Sequence, residues 1–282
     1  MNFIDIHPHA ISPDIARYPR APLGGHQSDW SRERPVTFEQ LLAAMDVAGV
    51  HKAAIVQAST CYGHDNSYVA DAVAAHPHRF TGVFSVDVLA GDAIERIKHW
   101  IGRKLTGLRL FTAGSTMPNQ STWLDDPASF PAWEFASSAK LPVCVQMRPP
   151  GIPLLERLLE RFPDVTVIVD HLGRPALDDG PPWAAAAPVF GLARFPNACL
   201  KLTVHNFRDA QKGAGTPASF VEQVVKAFGA ERIAWGSNFP ASSGSLSELI
   251  AEAQAATAGL SAAQRDAIFH GTACRLYPAL AG

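Results

Sequence analysis

The stretch Phe3-Ile4-Asp5-Ile6-His7-Pro8-His9 decides which fold we expect of this chain. Its apolar residues predict a short β-strand that ends in two histidines spaced i and i+2. Alternate side chains of a strand lie on one face, so His7 and His9 should project together. Pro8 has no N–H for a sheet, which indicates that the strand ends there. Two adjacent imidazoles can bind a metal ion or transfer a proton, although an isolated His-X-His pair is more often an exposed edge feature.

Short apolar segments alternate with helix-patterned segments along nearly the whole chain. They are rich in Val, Ile, Leu and Ala and are continuous rather than alternating, as in strands buried on both faces. Eight strands are predicted: Phe3–His7, Lys52–Ala58, Phe80–Val86, Gly107–Phe111, Pro142–Met147, Val165–Asp170, Ala198–Leu202 and Ile233–Gly236. Eight strand–helix units in 282 residues favour an α/β fold, a single (β/α)8 TIM barrel spanning residues 1–282. No G-x-G-x-x-G motif follows any strand.

Amphipathic segments predict helices between these strands. Thr37 and Gln40 form a capping box at the start of one of them. The least regular helix pattern covers Pro182–Phe190, and an extra C-terminal helix is predicted over Ala262–His270. Long loops are predicted after strands 1 and 4, over residues 10–35 and 112–129. In a barrel both loops would lie over the catalytic face.

Composition narrows the partners expected of this chain. The net charge is -2 and there is no run of basic residues, so neither nucleic acid nor an anionic membrane is expected as a partner. No signal-peptide pattern and no apolar run of about 20 residues are present. The four cysteines form no C-x-x-C pair, which fits a reducing, cytoplasmic compartment. The expected partner is a small molecule, and a homo-oligomer is possible.

Polar side chains recur at the ends of the predicted strands. Arg109 lies inside an apolar strand, so it should pair with a buried carboxylate such as Asp5 or Asp170, or bind an anionic substrate. His171 follows the Val-rich sixth strand and is expected to share a site with the amino-terminal histidines. The other candidates at strand ends are Gln146, Arg148, Arg174, Lys201, His205 and Asn238. This excess of cations predicts a substrate that bears carboxylates.

The ordered set of motifs resembles the amidohydrolase superfamily, in particular the amidohydrolase-2 branch of 2-pyrone-4,6-dicarboxylate lactonase and related lactonases. The motifs are Asp5-Ile6-His7-Pro8-His9, Gly63-His64-Asp65-Asn66-Ser67-Tyr68, Gly107-Leu108-Arg109, Asp170-His171-Leu172-Gly173-Arg174-Pro175 and Trp235-Gly236-Ser237-Asn238. The resemblance implies that His7, His9 and His171 are active-site residues and that Arg109 and Arg174 bind substrate carboxylates. It also implies hydrolysis of a lactone or a similar ester-like C–O bond.

Two positions differ from the usual pattern of this superfamily. Its members commonly have an aspartate at the end of strand 8, as metal ligand and general base, where this chain has Asn238. The amide of asparagine accepts no proton at ordinary pH. Gln146 stands where many relatives offer a further metal-binding side chain. Amide oxygens are poor zinc ligands, so hydrolysis without a required metal is the first expectation.

The mechanism expected from the sequence uses neutral His171 or His9 as the base that takes a proton from water. Arginine or lysine and the amide of Asn238 would stabilise the oxyanion, while Arg109 and Arg174 hold carboxylates. Three alternatives remain open. The protein could be a zinc-dependent hydrolase that binds zinc or another divalent ion through His7, His9 and His171, a metal-dependent decarboxylase, or a non-catalytic ligand-binding barrel.

Overall fold

The computed structural model describes residues 2–115 and 120–282, in which eight parallel strands pair in chain order. They are β1 (Phe3–Asp5), β2 (Val50–Val56), β3 (Phe80–Phe84), β4 (Gly107–Phe111), β5 (Val143–Gln146), β6 (Val167–Val169), β7 (Ala198–Thr203) and β8 (Ile233–Gly236). The first and last strands also meet, because the Ile6 N–H donates to the Trp235 carbonyl oxygen at 3.3 Å. The sheet therefore forms a nearly closed barrel, and the predicted (β/α)8 fold is confirmed.

Helices connect successive strands on the outside of the barrel. They are α1 (Asp29–Glu33), α2 (Phe38–Ala48), α3 (Ser59–Tyr62), α4 (Ser67–Ala75), α5 (Ala93–Gly102), α6 (Phe130–Ala139), α7 (Ile152–Arg161), α8 (Ala187–Gly191), α9 (Val204–Ala210), α10 (Pro217–Phe228), α11 (Leu246–Ala256), α12 (Ala262–Asp266) and α13 (Thr272–Leu276). The capping box predicted at Thr37 is present at the start of α2. No helix of the described residues combines the length and the apolar character that a membrane crossing needs.

The interior of the barrel is packed with side chains rather than open. Ile4, Ala54 and Ile168 belong to a buried cluster inside the strands, and Tyr277 from the carboxyl-terminal segment joins the same cluster. The hydroxyl group of Tyr277 lies 3.2 Å from the Cys144 thiol. A second, larger apolar layer lies between the strands and the surrounding helices. Because the interior is filled, a site within the barrel is expected at the carboxyl ends of the strands.

The junction of β1 and β8 fixes the start of the site. Asp5 Oδ1 accepts hydrogen bonds from the backbone N–H groups of His7 and Ser237, each at 2.9 Å. Gly236 packs directly against His7, because a Cβ at position 236 would lie 2.5 Å from the Cβ of His7. The close approach of the two strands therefore depends on glycine at this position.

Several predicted elements have different bounds in the structure. β1 ends at Asp5 because Pro8 lacks an N–H, and β6 ends at Val169 because His171 has a left-handed φ of 52° and leaves the ladder. The predicted helix over residues 182–190 is reduced to α8, which follows a 3-10 turn. The predicted helix over residues 262–270 is α12 followed by a wider π-type turn. The predicted loop over residues 10–35 contains α1, and residues 116–119 of the loop after β4 lie outside the described residues.

Candidate active site

A cavity of about 290 Å³ opens at the carboxyl ends of the strands. Among the predicted site residues, it is lined by His9, Arg109, Gln146, His171, Arg174, His205 and Asn238. Residues that the site prediction did not include also line it, namely Ser28, Trp30, Ala58, Ser59, Thr60, Phe111, Ser115 and Ala241. The structure thus brings together side chains from seven of the eight strand ends, as a barrel site requires.

The floor of the cavity is a buried cluster of one carboxylate and two cations, hereafter the Asp170 cluster: Asp170, Arg109 and Lys201. Arg109 Nε donates to Asp170 Oδ2 at 2.6 Å, and Lys201 Nζ lies 2.8 Å from Asp170 Oδ1. Burial alone would raise the pKa of Asp170, but the charges of Lys201 and Arg109 together lower it well below its usual range. One carboxylate between two cations leaves this floor positively charged.

Lys201 and His7 lie beneath the cavity rather than in its wall. Both are fully buried, and neither is among the lining residues. Lys201 was predicted to contact the substrate, but from this buried position its ammonium group binds Asp170 instead. The same group lies 3.6 Å from the Cys144 thiol. Arg148 is not among the lining residues either.

The ring of His7 lies close to the rings of both His9 and His171. It lies 5.0 Å from the ring of His9 and 4.6 Å from the ring of His171, measured between centroids. Arg109 Nη2 approaches His7 Nε2 at 3.4 Å, so this nitrogen accepts. Burial and the nearby Lys201 ammonium hold the pKa of His7 well below its ordinary value.

His9 and His171 each bind through Nδ1 and leave Nε2 without a protein partner among the described residues. His9 Nδ1 donates to the Val56 carbonyl oxygen at 2.8 Å. His171 Nδ1 lies 2.8 Å from the Thr203 hydroxyl oxygen. Burial is the largest cause that lowers the pKa of both rings, to about 3 for His9 and well below the ordinary value for His171. Both imidazoles are therefore neutral near pH 7.

A small capping network that the sequence analysis did not single out holds His171. Asn206 Oδ1 accepts from the Thr203 N–H at 3.0 Å, and Asn206 Nδ2 donates to the His171 carbonyl oxygen at 2.8 Å. The signal in the sequence is the spacing Thr203-x-x-Asn206 after a strand, which is the pattern of a capping box. These contacts fix the left-handed backbone at His171 and hence the direction of its ring.

His205 and Asn238 form the wall opposite Gln146. Asn238 Nδ2 donates to His205 Nε2 at 3.0 Å and to the Ser242 hydroxyl oxygen at 2.9 Å. Burial and the Arg174 charge lower the pKa of His205 to about 4. Gln146 Oε1 accepts from Arg109 Nη2 at the edge of the Asp170 cluster. The two amides thus act as hydrogen-bond partners of other site residues.

Arg174 is more exposed than Arg109, the other cation that lines the cavity. Its side chain is 32% exposed and its nearest carboxylate, Asp209, lies 3.7 Å away, beyond hydrogen-bond length. Arg148 is close enough for the Arg174 charge to contribute, with burial, to a lowered Arg148 pKa. The Arg174 guanidinium in the lining, with the Arg148 charge nearby, favours an anion at this side of the cavity.

The donor set of this site does not fit a divalent metal ion. Over residues 2–115 and 120–282, no group of three His, Cys, Asp or Glu side chains is arranged to hold one. The guanidinium group of Arg109 lies 3.4 Å from His7 Nε2, and the Lys201 ammonium lies 2.8 Å from Asp170 Oδ1, so two cations already contact the groups that would have to bind a metal ion. A divalent ion there would be repelled by both. These contacts count against zinc on His7, His9 and His171.

The profile of a known family, described as Amidohydrolase, matches residues 4–279. The chain belongs to the amidohydrolase family. This amidohydrolase is 28% identical over 214 residues to a protein named L-fucono-1,5-lactonase from Burkholderia ambifaria, which covers 74% of the chain and 70% of that relative. Family membership and relatives of this kind make the protein a hydrolase.

Solved structures share the fold of this amidohydrolase over its whole length. An amidohydrolase from Burkholderia multivorans with bound zinc has a TM-score of 0.79 at 23% identity, covering 99% of both chains. A putative 2-pyrone-4,6-dicarboxylic acid hydrolase from Pseudomonas putida has a TM-score of 0.77 at 23% identity, covering 99% of this chain and 98% of that chain. At this level of identity the likeness shows the common barrel.

Proposed function

We propose that this amidohydrolase opens a carboxylated lactone by adding water to the ester carbonyl, without a required metal ion, in one domain formed by residues 1–282. The observation that carries the proposal is the pair of imidazoles, His9 and His171, whose Nε2 atoms have no hydrogen-bond partner within residues 2–115 and 120–282 and lie beside a positively charged floor. Names of related proteins, a lactonase and a pyrone dicarboxylic acid hydrolase, support a lactone as the reacting group.

In the proposed mechanism His171 Nε2 takes the proton of the attacking water, and His9 is the second candidate for this base. The hydroxyl of Thr203 accepts from His171 Nδ1, so the ring keeps the tautomer that a base needs. When the C–O bond of the ring breaks, the same histidine returns the proton to the leaving oxygen. One water and one lactone thereby give one hydroxy acid.

The developing oxyanion is stabilised from below and from the side. Arg109 lies in the floor and in the lining of the cavity, and its guanidinium group is fixed by Asp170 and Gln146. The amide of Asn238 is a further donor at the rim. Fixed donors in a buried site stabilise charge without reorganising, which is the largest contribution in many hydrolases.

A carboxylate of the substrate binds to Arg174, whose side chain lines the cavity and whose ion pair with Asp209 is long, at 3.7 Å. Arg148 adds positive charge behind it. His205 lines the cavity between Arg174 and Asn238, where it contacts the bound substrate. Lys201 acts from below, since its charge keeps Asp170 ionised and the histidines neutral.

The deciding experiment measures hydrolysis of carboxylated lactones and pyrones, with L-fucono-1,5-lactone included for comparison, by His171→Ala and His9→Ala variants. General-base catalysis is worth about 10²–10⁴-fold, so removing the base should lower kcat by that factor. His51→Ala is the matched control, because His51 is exposed at the start of β2, at the far end of the barrel. Near-normal kcat in both active-site variants would contradict the proposal.

Metal dependence and the alternative reactions are tested in the same assay. Protein stripped with a chelator should keep its kcat, and added Zn²⁺ should not raise it. A zinc requirement would instead appear as activity that returns only with the ion. Release of CO₂ from an aromatic carboxylate would indicate a decarboxylase, and the absence of turnover with every lactone would favour a binding protein.

A further inference from the structure

A second recess of about 190 Å³ opens beside the catalytic cavity, over the ends of β3 and β4. It is lined mainly by apolar side chains, among them Val86, Val88, Phe111 and Trp123, with His64 and Ser85 at its polar side. The mechanism proposed above uses none of these side chains. The segment that carries His64 is one of the motifs of the family resemblance.

The two cavities share one wall, because Arg109 and Phe111 line both. The Arg109 guanidinium carbon lies 4.6 Å from the centroid of the Phe111 ring, a cation–π contact that holds the two side chains of this wall together. A molecule that contacts Arg109 in the catalytic cavity therefore lies next to a wall of the recess.

The polar side of the recess is rigidly built. His64 Nδ1 lies 3.0 Å from the Ser85 hydroxyl oxygen. The buried amide of Asn66 donates to the carbonyl oxygens of His64 and Ser85, each at 3.0 Å, and accepts from the Ser85 N–H at 2.8 Å. His64 Nε2 has no partner among the described residues. Burial lowers the pKa of this imidazole, which favours its neutral form.

The lining of the recess is less suited to an anion than that of the catalytic cavity, although the Arg96 charge also acts on His64. Asp87 lies exposed at the rim of the recess, and the cation in its lining, Arg109, is already paired with Asp170. The catalytic cavity has the opposite character, since Arg174 lies on its far side. Its volume of about 290 Å³ is at the lower limit of pockets that bury a small-molecule ligand, about 300 Å³. A larger substrate has to extend beyond it.

We propose that this recess binds an uncharged, ring-sized arm of the substrate, which packs on Phe111 and Trp123 and places a hydroxyl group against His64 Nε2. The inference rests on the proposed function, because it assigns the carboxylate and the lactone of the same molecule to the catalytic cavity. The enzyme would thus select a substrate with one anionic end and one neutral aromatic or hydroxylated end.

The test uses binding rather than turnover. Two carboxylated δ-lactams, which resist hydrolysis, are compared by calorimetry, one bare and one with a hydroxyphenyl group on the ring carbon farthest from the carboxylate. In the wild type the hydroxyphenyl lactam should bind at least about tenfold more tightly, because an apolar group gains that much in a fitting pocket. Leu89→Trp, at the rim of the recess, should abolish this gain.

Further variants show which side chains cause the tighter binding of the hydroxyphenyl lactam, hereafter the gain. His64→Ala should reduce it by a few-fold, the size of one hydrogen bond. Val47→Trp is the matched control for the added indole, since Val47 is 83% exposed on α2 and lines neither cavity, and it should keep the whole gain. Equal affinity of the two lactams in the wild type, or a gain that survives Leu89→Trp, would overturn the inference. Because no turnover is needed, this result is independent of the hydrolysis assay.

Discussion

At the scale of single residues, burial decides the protonation of the histidines. His9 is 4% exposed and its pKa is lowered to about 3, while an unfolded histidine titrates near 6.5. Between these values the unfolded chain binds more protons than the folded one. The free energy of unfolding should therefore fall as the pH decreases from about 6.5 toward 3.

Urea unfolding of the wild type and of His9→Gln between pH 7 and 4 measures this effect. As the pH falls, the free energy of unfolding of the wild type should decrease by up to about 1.4 kcal/mol per pH unit more than that of the variant. The reason is that the variant lacks the buried imidazole that must stay neutral in the folded protein. The comparison cancels the carboxylates common to both proteins. Parallel stability curves would show that His9 titrates normally in the folded protein.

The sequence indicated the right residue types around the site but not which of them reach the cavity. Arg109 between two leucines predicted a buried ion pair, and its partner is Asp170, one of the two candidates considered. Lys201 has the same sequence environment and yet lies beneath the cavity. The two residues differ in their height along the barrel axis. That height depends on the stagger of neighbouring strands, which a local sequence pattern does not reveal.

At the scale of elements, the contact between β8 and β1 sets the position of His7. Gly236→Ala should displace His7, since the added methyl group would lie 2.5 Å from its Cβ. We expect a loss of about 1–3 kcal/mol of stability, as for overpacked cores, together with a lower kcat. The control is Gly102→Ala at the end of α5, where a Cβ meets nothing within 4 Å. Thermal unfolding and kcat measurements should show a loss for Gly236→Ala and no loss for Gly102→Ala.

The sequence predicted that each of the eight strands is present, but it did not predict the residues at which the strands end. Continuous apolar runs predicted all eight strands. The run Val165–Asp170 nevertheless pairs only over Val167–Val169, because the following residues adopt left-handed conformations held by Asn206. Side chains distant in sequence impose such conformations, so propensity carries no signal for them.

At the scale of the whole molecule, the carboxyl-terminal segment seals the barrel end opposite the cavity. Tyr277 is fully buried among interior side chains and its hydroxyl group meets Cys144. Tyr277→Ala should cost about 3–5 kcal/mol, as for other large-to-small aromatic truncations, and Tyr277→Phe only about 1 kcal/mol. Chemical unfolding measures both, and similar losses in the two variants would mean that the hydroxyl group rather than the ring stabilises this end.

The overall architecture was predictable because repeated strand–helix units have few ways to pack. The seal formed by Tyr277 was not, since a tyrosine after a short helix has no feature that distinguishes it from a surface residue. Its role exists only once eight strands have formed a ring around it.

The Asp170 cluster also limits how this lineage can change. A single Asn238→Asp exchange would add a carboxylate after β8, but the ammonium and guanidinium groups on Asp170 would still repel an incoming cation. Recruitment of a catalytic metal would require at least one of these two basic residues to be lost as well.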